Sequence, residues 1–93
     1  MINIYILEDQ ELYLEGLILL LKKNTSFSIV GYNSSAENFI TNLPNIQADI
    51  FLLDIHLPGV DAELVLDSIR KNNPSQKVIY LTMLRGSRIV HKL

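Results

Sequence analysis

The stretch FLLDIHLPGVDAE (residues 51–63) leads three large apolar residues directly into an aspartate. An apolar run of this kind is typical of a strand that is covered on both faces, as in a parallel sheet. A carboxylate costs free energy when it is buried without a compensating partner. Asp54 is therefore expected either to cap a neighbouring element or to stand at a strand end where a site uses it.

Around this stretch, short β-prone segments alternate with longer segments of helical composition. Strands are predicted at residues 2–7, 27–32, 49–53 and 77–82. Helices are predicted at residues 10–23, 34–43 and 61–73, and a further helix is predicted to begin within residues 87–93. Alternation of this kind predicts βαβ units, and therefore an α/β fold built on a parallel sheet.

Two features of the predicted helices are specific. Ser34 and Glu37 have the spacing of a capping box, and Asp61 is a candidate N-cap for the helix that follows the opening stretch. The first helix carries apolar residues on most of its sides, whereas one apolar stripe is enough to cover a sheet. A second element, most simply another helix, is therefore expected to pack beside it.

The composition fits one small globular domain over residues 1–93. Hydrophobic residues make up 48% of the chain and charged residues 19%, which argues against a disordered chain. The net charge of −2 lacks the basic footprint of a nucleic-acid-binding domain. The chain has no cysteine and no apolar run long enough to span a membrane. A cytoplasmic domain without direct nucleic-acid or membrane contact is predicted.

Acidic and hydroxyl side chains stand at the ends of three predicted strands. Glu8 and Asp9 follow the first strand, Asp54 follows the third, and Thr82 ends the fourth. The carboxyl ends of parallel strands meet at one edge of the sheet, so these side chains are expected to converge. Mg²⁺ prefers carboxylate, water and phosphate oxygens, and a carboxylate can also accept a phosphoryl group. The edge is therefore predicted to be a metal-binding, phosphate-accepting pocket.

Three segments, ILED (6–9), FLLDIHLPG (51–59) and IYLTM (79–83), resemble the receiver domain of bacterial two-component response regulators. The resemblance extends over residues 2–93 and is strongest to receivers joined to helix-turn-helix DNA-binding outputs. It implies a doubly wound, flavodoxin-like parallel sheet with the strand order 2-1-3-4, next to which a complete receiver adds a fifth strand. That strand and the helix after it have no counterpart in the predicted elements, so the receiver is expected to be C-terminally incomplete.

The resemblance also assigns roles in the acidic pocket. It implies that Asp54 accepts a phosphoryl group from a sensor histidine kinase in a magnesium-dependent reaction. Mg²⁺ would be ligated by Asp9, Asp54 and the backbone carbonyl of His56, with Glu8 acting through water. Thr82 would be the switch hydroxyl that moves towards the phosphoryl group.

The same resemblance gives roles to residues beside the pocket. Pro58 and Gly59 would form the turn after the phosphorylation loop, and the bulk of Met83 would restrict access to the phosphoryl group. Receivers carry a lysine at the end of the fifth strand that pairs with this group. No lysine is predicted to do so here, because Lys77 lies at the wrong end of strand four and Lys92 lies on the predicted fourth helix.

Two other functions stay open. A degenerate receiver that acts only as a protein interaction module would fit the missing lysine. An aspartyl-phosphate phosphohydrolase also uses a strand-end aspartate with Mg²⁺, but it needs an acid two residues later, where His56 stands. The main interpretation is a phosphoacceptor signalling domain and not an enzyme.

Self-association is also predicted. If strand four ends the sheet, its backbone groups are free to pair with another chain. An uncovered first helix would add exposed leucines to this edge. The 93-residue chain is therefore expected to pair by its sheet edge, to exchange elements, or to need a further segment from a partner.

Overall fold

The computed structural model describes residues 1–54, 59–82 and 88–92. The described strands form one sheet: β1 (Ile2–Glu8), β2 (Phe27–Asn33), β3 (Ile50–Asp54), β4 (Lys77–Thr82) and β5 (Arg88–Lys92). The described helices lie between the first four strands: α1 (Glu11–Lys22), α2 (Ala36–Asn42), which a short 3₁₀ turn (Leu43–Asn45) follows, and α3 (Gly59–Asn72). The sheet order is β2-β1-β3-β4-β5, and the first four strands are parallel. This confirms the predicted α/β fold and the order 2-1-3-4.

The prediction for the last segment is wrong. Residues 87–93 were expected to begin a helix, whereas Arg88–Lys92 form β5 and pair antiparallel with β4. Ile89 and Val90 are β-branched and favour a strand, and the segment satisfies backbone groups along the edge of β4. A fifth strand is thus present, although it is antiparallel. Because β4 is paired on both sides, it is not the free edge from which self-association was predicted.

Two helix starts also differ from their predictions. α2 is capped by Ser35 and not by Ser34: the Ser35 Oγ accepts a hydrogen bond from the backbone N–H of Asn38 at 3.3 Å. α3 begins at Gly59, so Asp61 lies inside its first turn and is not its N-cap. In the first case the extended backbone at Ser35 decides which of two adjacent serines faces the helix end.

The two faces of the sheet bury different cores. α2 and α3 cover one face around three aromatic rings, with Phe39 edge-on to Phe51 at 5.5 Å and Tyr5 at 5.7 Å from Phe39. α1 covers the other face, where Leu14 packs with Ile6 and neighbouring residues. The layered arrangement is therefore doubly wound. Within the described ranges, no helix has the length and apolar character needed to cross a membrane.

One buried amide fastens the amino-terminal end of the sheet. The Gln76 Nε2 donates to the carbonyl oxygens of Ala48, Asp49 and Lys77, each at 3.2 Å. The Asp49 carboxylate in turn accepts a hydrogen bond from the backbone N–H of Asn3 at 2.7 Å. These bonds tie β1, β3 and β4 together at their starts, which leaves their carboxyl ends to form the site.

Phe39→Ala should destabilise the domain by about 3–5 kcal/mol, because the ring is fully buried between Tyr5 and Phe51 and its loss leaves a cavity. Urea unfolding followed by circular dichroism measures this. Leu64→Ala is the matched control, since Leu64 is 57% exposed on α3 and its truncation should cost about 0.5 kcal/mol or less. Equal losses in the two variants would contradict the central place of the aromatic cluster.

Candidate functional site

The buried strand ends of β1 and β3 place two carboxyl groups beside each other. Glu8 is opposite Asp54 in the parallel register of the two strands. Both side chains are buried, with exposures of 0% and 2%. The structure therefore brings together two of the residues that the sequence placed at this edge, directly after the apolar runs of their strands.

The environment of Glu8 favours its protonated form. The pKa of Glu8 is raised from 4.5 to about 9, first by burial and then by a hydrogen bond with Asp54 and the charge of that residue. The backbone N–H of Gln10 donates to the Glu8 Oε2 at 2.7 Å and opposes the shift. Near neutral pH, without a bound cation, Glu8 thus keeps its proton, because two adjacent buried carboxylates are costly to ionise together.

Asp9 lies at the mouth of the site. It hydrogen-bonds with Glu8, which it follows in the chain. It also lines an open cavity of about 440 Å³, together with Ser34 and Ser35 before α2 and Leu64 on α3. Asp9 is therefore the carboxylate of the three that faces an opening large enough for a small polar ligand.

Tyr80 is a residue near the site that the pattern of acidic and hydroxyl strand ends does not identify. It pairs with Leu53 in the β3–β4 register, one position before Asp54, and it packs partly buried against the aromatic core. The pKa of its hydroxyl is raised by burial and by the negative charges of Asp54 and Asp9. One sequence signal pointed to it: Tyr80 precedes Thr82 by two positions, which places both on one face of the strand.

The remaining predicted site residues fall into two groups. Thr82 is the last residue of β4 and so stands at the carboxyl edge of the sheet. Gly59, which the resemblance placed in a turn, is the first residue of α3. Three residues lie outside the described ranges: His56, Pro58 and Met83.

Lys77 and Lys92, the two lysines considered as partners of a phosphoryl group, both lie away from the sheet edge that carries Asp54. Lys77 begins β4, as expected. Lys92 belongs to β5 and not to a helix, and it pairs with Val78 near the start of β4. We therefore still expect no pairing between Lys92 and a phosphoryl group. The reason is the position of Lys92 along the sheet, away from the Asp54 edge, and not a position on a helix.

The donor chemistry at this edge suits a hard cation. Carboxylate oxygens are the ligands that Mg²⁺ prefers, and a divalent charge would compensate two ionised neighbours. Within residues 1–54, 59–82 and 88–92, no group of three acidic, histidine or cysteine side chains could hold a metal ion by itself. Mg²⁺ needs only one or two carboxylates because it keeps several waters. The carboxylates present therefore fit Mg²⁺.

The raised pKa of Glu8 gives a pH dependence of stability in the metal-free protein. The folded state keeps this proton up to about pH 9, whereas the unfolded carboxyl loses it near 4.5. The folded state thus binds more protons inside this window, and stability should fall as pH rises, by up to about 1.4 kcal/mol per pH unit. Urea midpoints measured across the window should show this fall, and Glu8→Gln should flatten it. Equal slopes in both proteins would contradict the assignment.

Comparison with known proteins places these features in a family. Residues 4–93 match the family described as the response regulator receiver domain. The chain is 29% identical over 93 residues to the transcriptional regulatory protein LnrK of Bacillus subtilis (strain 168), covering 97% of this chain and 41% of LnrK. It is 28% identical over 79 residues to protein-glutamate methylesterase/protein-glutamine glutaminase 3 of Leptospira interrogans, covering 85% and 23%. The chain spans less than half the length of these curated relatives.

A solved structure supports the same assignment. The isolated REC domain of RcsB from Salmonella enterica serovar Typhimurium, in the apo form, matches with a TM-score of 0.79 and 26% identity. The match covers 92% of this chain and 63% of that chain. The family match includes the strand ends that carry Glu8, Asp9 and Asp54. The chain belongs to the response regulator receiver domain family.

Proposed function

We propose that this chain is a phosphoacceptor signalling domain in which Asp54 receives a phosphoryl group from a sensor histidine kinase. The observation that carries the proposal is the placement of Asp54, buried at the end of β3 beside Glu8. A carboxylate oxygen of Asp54 attacks the phosphorus, and the bond from phosphorus to the kinase histidine breaks. The product is an aspartyl phosphate on this chain and a free histidine on the kinase.

The acidic residues around Asp54 have separate tasks. Asp9, Asp54 and the backbone carbonyl of His56 would hold a magnesium ion, which would supply positive charge for phosphoryl transfer. Glu8 acts through water, and its position is supported by the hydrogen bond from the Gln10 amide. The open cavity beside Asp9 gives the phosphodonor a route to this edge.

Residues at the end of β4 and in the loops report or limit the reaction. Thr82 is the switch hydroxyl. Tyr80 lies on the same strand, and the charges of Asp54 and Asp9 contribute to the raised pKa of its hydroxyl. Met83 restricts access to the phosphoryl group, and Pro58 with Gly59 shapes the loop after β3.

The response is passed to an output in the parent protein. Transcriptional control is the proposed class of output, because LnrK is a transcriptional regulatory protein. We place the domain in the cytoplasm with its kinase.

A second function is an interaction module without phosphotransfer. The observation that favours it is the position of Lys77 and Lys92, which lie towards the start of β4 and not at the Asp54 edge. A receiver without a phosphoryl-pairing lysine would retain the fold and its surfaces while losing part of its response.

Treatment with a small phosphodonor such as acetyl phosphate, with Mg²⁺ present, should add one phosphoryl group to the protein. Peptide mass spectrometry should place the group on Asp54, and Asp54→Asn should prevent the addition because the nucleophile is lost. Asp67→Asn is the matched control, since Asp67 is an exposed aspartate on α3. An undiminished adduct in Asp54→Asn would contradict the assignment, and no adduct on the unaltered chain would favour the interaction module.

Asp9→Ala should weaken Mg²⁺ binding by about tenfold or more, because the ion loses one of its few carboxylate ligands. Binding to the unaltered chain should be weak alone and tighter with a phosphoryl mimic that supplies further oxygens. Calorimetric titration measures both. Asp67→Ala should bind like the unaltered chain, and an unchanged affinity in Asp9→Ala would show that the ion sits elsewhere.

A further inference from the structure

The positive charges of the chain are unevenly placed along the strand direction. Helices that connect parallel strands run back across the sheet, so the carboxyl ends of α1 and α3 lie at the edge where the strands begin. Lys77 begins β4, and Lys92 pairs with Val78 at the same edge. Six of the eight lysine and arginine residues are therefore at the end of the sheet away from Asp54: Lys22, Lys23, Arg70, Lys71, Lys77 and Lys92.

Arg88 is the exception among the residues that the structure describes. It begins β5 and pairs with Thr82, the last residue of β4, in the antiparallel register. Residues directly opposite each other in an antiparallel pair share one face of the sheet, so Arg88 belongs to the face of Thr82. The antiparallel direction of β5 is decisive, because a parallel strand in the same place would begin at the opposite edge.

The backbone register brings Arg88 close to the level of Asp54. β4 lies between β3 and β5, so Arg88 is two strand spacings, about 10 Å, from the strand that carries Asp54. Asp54 follows Leu53, which pairs with Tyr80, and Thr82 comes two positions after Tyr80. The two levels thus differ by one residue, or about 3 Å. A phosphoryl group on Asp54 and the long side chain of an arginine can together span this separation.

Phosphorylation would add negative charge to an edge that is already acidic. A phosphoryl group brings charged oxygens to Asp54, next to Asp9 and the buried Glu8. Buried charges are screened less by salt than exposed ones. A guanidinium group stays charged at all relevant pH values and binds phosphoryl oxygens through paired N–H donors. An arginine at this edge would therefore favour the phosphorylated form in particular.

We propose that Arg88, held opposite Thr82 by the antiparallel pairing of β4 and β5, binds the phosphoryl group on Asp54. The inference rests on the proposed phosphoacceptor function and deepens it. It assigns to an arginine the positive charge that the described lysines, at the other end of the sheet, do not supply.

Calorimetric titration with beryllofluoride, a phosphoryl mimic, in the presence of Mg²⁺ tests the pairing. Arg88→Gln should bind the mimic about tenfold or more weakly than the unaltered chain, because a charge-assisted pair is lost. Arg88→Lys keeps the charge without the paired donors and should have an intermediate affinity. Lys92→Gln is the matched control, since it removes the same charge from the other end of β5, and it should bind like the unaltered chain.

Titration with Mg²⁺ alone is the reference measurement. The affinity of Arg88→Gln for Mg²⁺ should not fall, because a nearby cation does not favour a second one. An equal loss for Mg²⁺ alone and for the mimic would overturn the pairing. Unchanged binding of the mimic to Arg88→Gln would also overturn it, while leaving the phosphoacceptor function intact. No binding of the mimic to the unaltered chain would contradict the phosphoacceptor function itself, and the pairing with it.

Paired cysteines test the register that places Arg88, in a chain that otherwise has none. Leu81 and Ile89 are directly opposite each other, and such residues have Cα atoms about 4.5–5.5 Å apart, within the range of a disulfide. Under mild oxidation Leu81→Cys with Ile89→Cys should therefore link readily. Leu81→Cys with Val90→Cys should link much more slowly, since successive residues alternate between the faces. Circular dichroism verifies folding, and equal rates would overturn the placement of Arg88.

Discussion

Two carboxyl groups lie next to each other at the buried ends of β1 and β3, and the chemistry proposed for the site depends on how their charge is compensated. In the metal-free domain a proton on Glu8 provides the compensation, as its raised pKa indicates. A divalent cation would take the place of that proton. With the proposed Mg²⁺ bound, the cation would compensate the charge of Glu8 beside Asp54 that the proton compensates in its absence.

The four parallel strands were predictable from the alternation of β-prone and helical segments. Three of them end at an acidic or hydroxyl residue, and this indicated the edge where the site lies. β5 was not predictable in the same way. Ile89 and Val90 are compatible with a short helix or a strand, and pairing with β4 decides between them. Ser34 and Ser35 are equally good caps by type, so only the backbone distinguishes them. The two-residue spacing places Tyr80 on the same face of β4 as Thr82, but its approach to the carboxylates depends on the strand register, which that spacing does not determine.

The two faces of the sheet have different characters, and β4 contributes to both. Tyr80 points to the aromatic core that α2 and α3 close, whereas Ile79 and Leu81 line the apolar cavity beside α1. Alternate residues of β4 thus contact both the aromatic core below the acidic edge and the apolar cavity beside α1. A shift of β4 near Thr82 would alter the packing on both faces, since neighbouring side chains on a strand cannot move independently.

The amide of Gln76 gives the domain a fixed end. Its bonds to the carbonyl groups at the starts of β3 and β4 involve no ionisable atom of Gln76, so they hold equally in acid and in base. The buried pair of carboxyl groups, Glu8 and Asp54, lies at the other end of β1 and β3. The Gln76 amide therefore holds β3 and β4 in register at their amino-terminal ends, whichever charge state Glu8 and Asp54 adopt at the opposite edge.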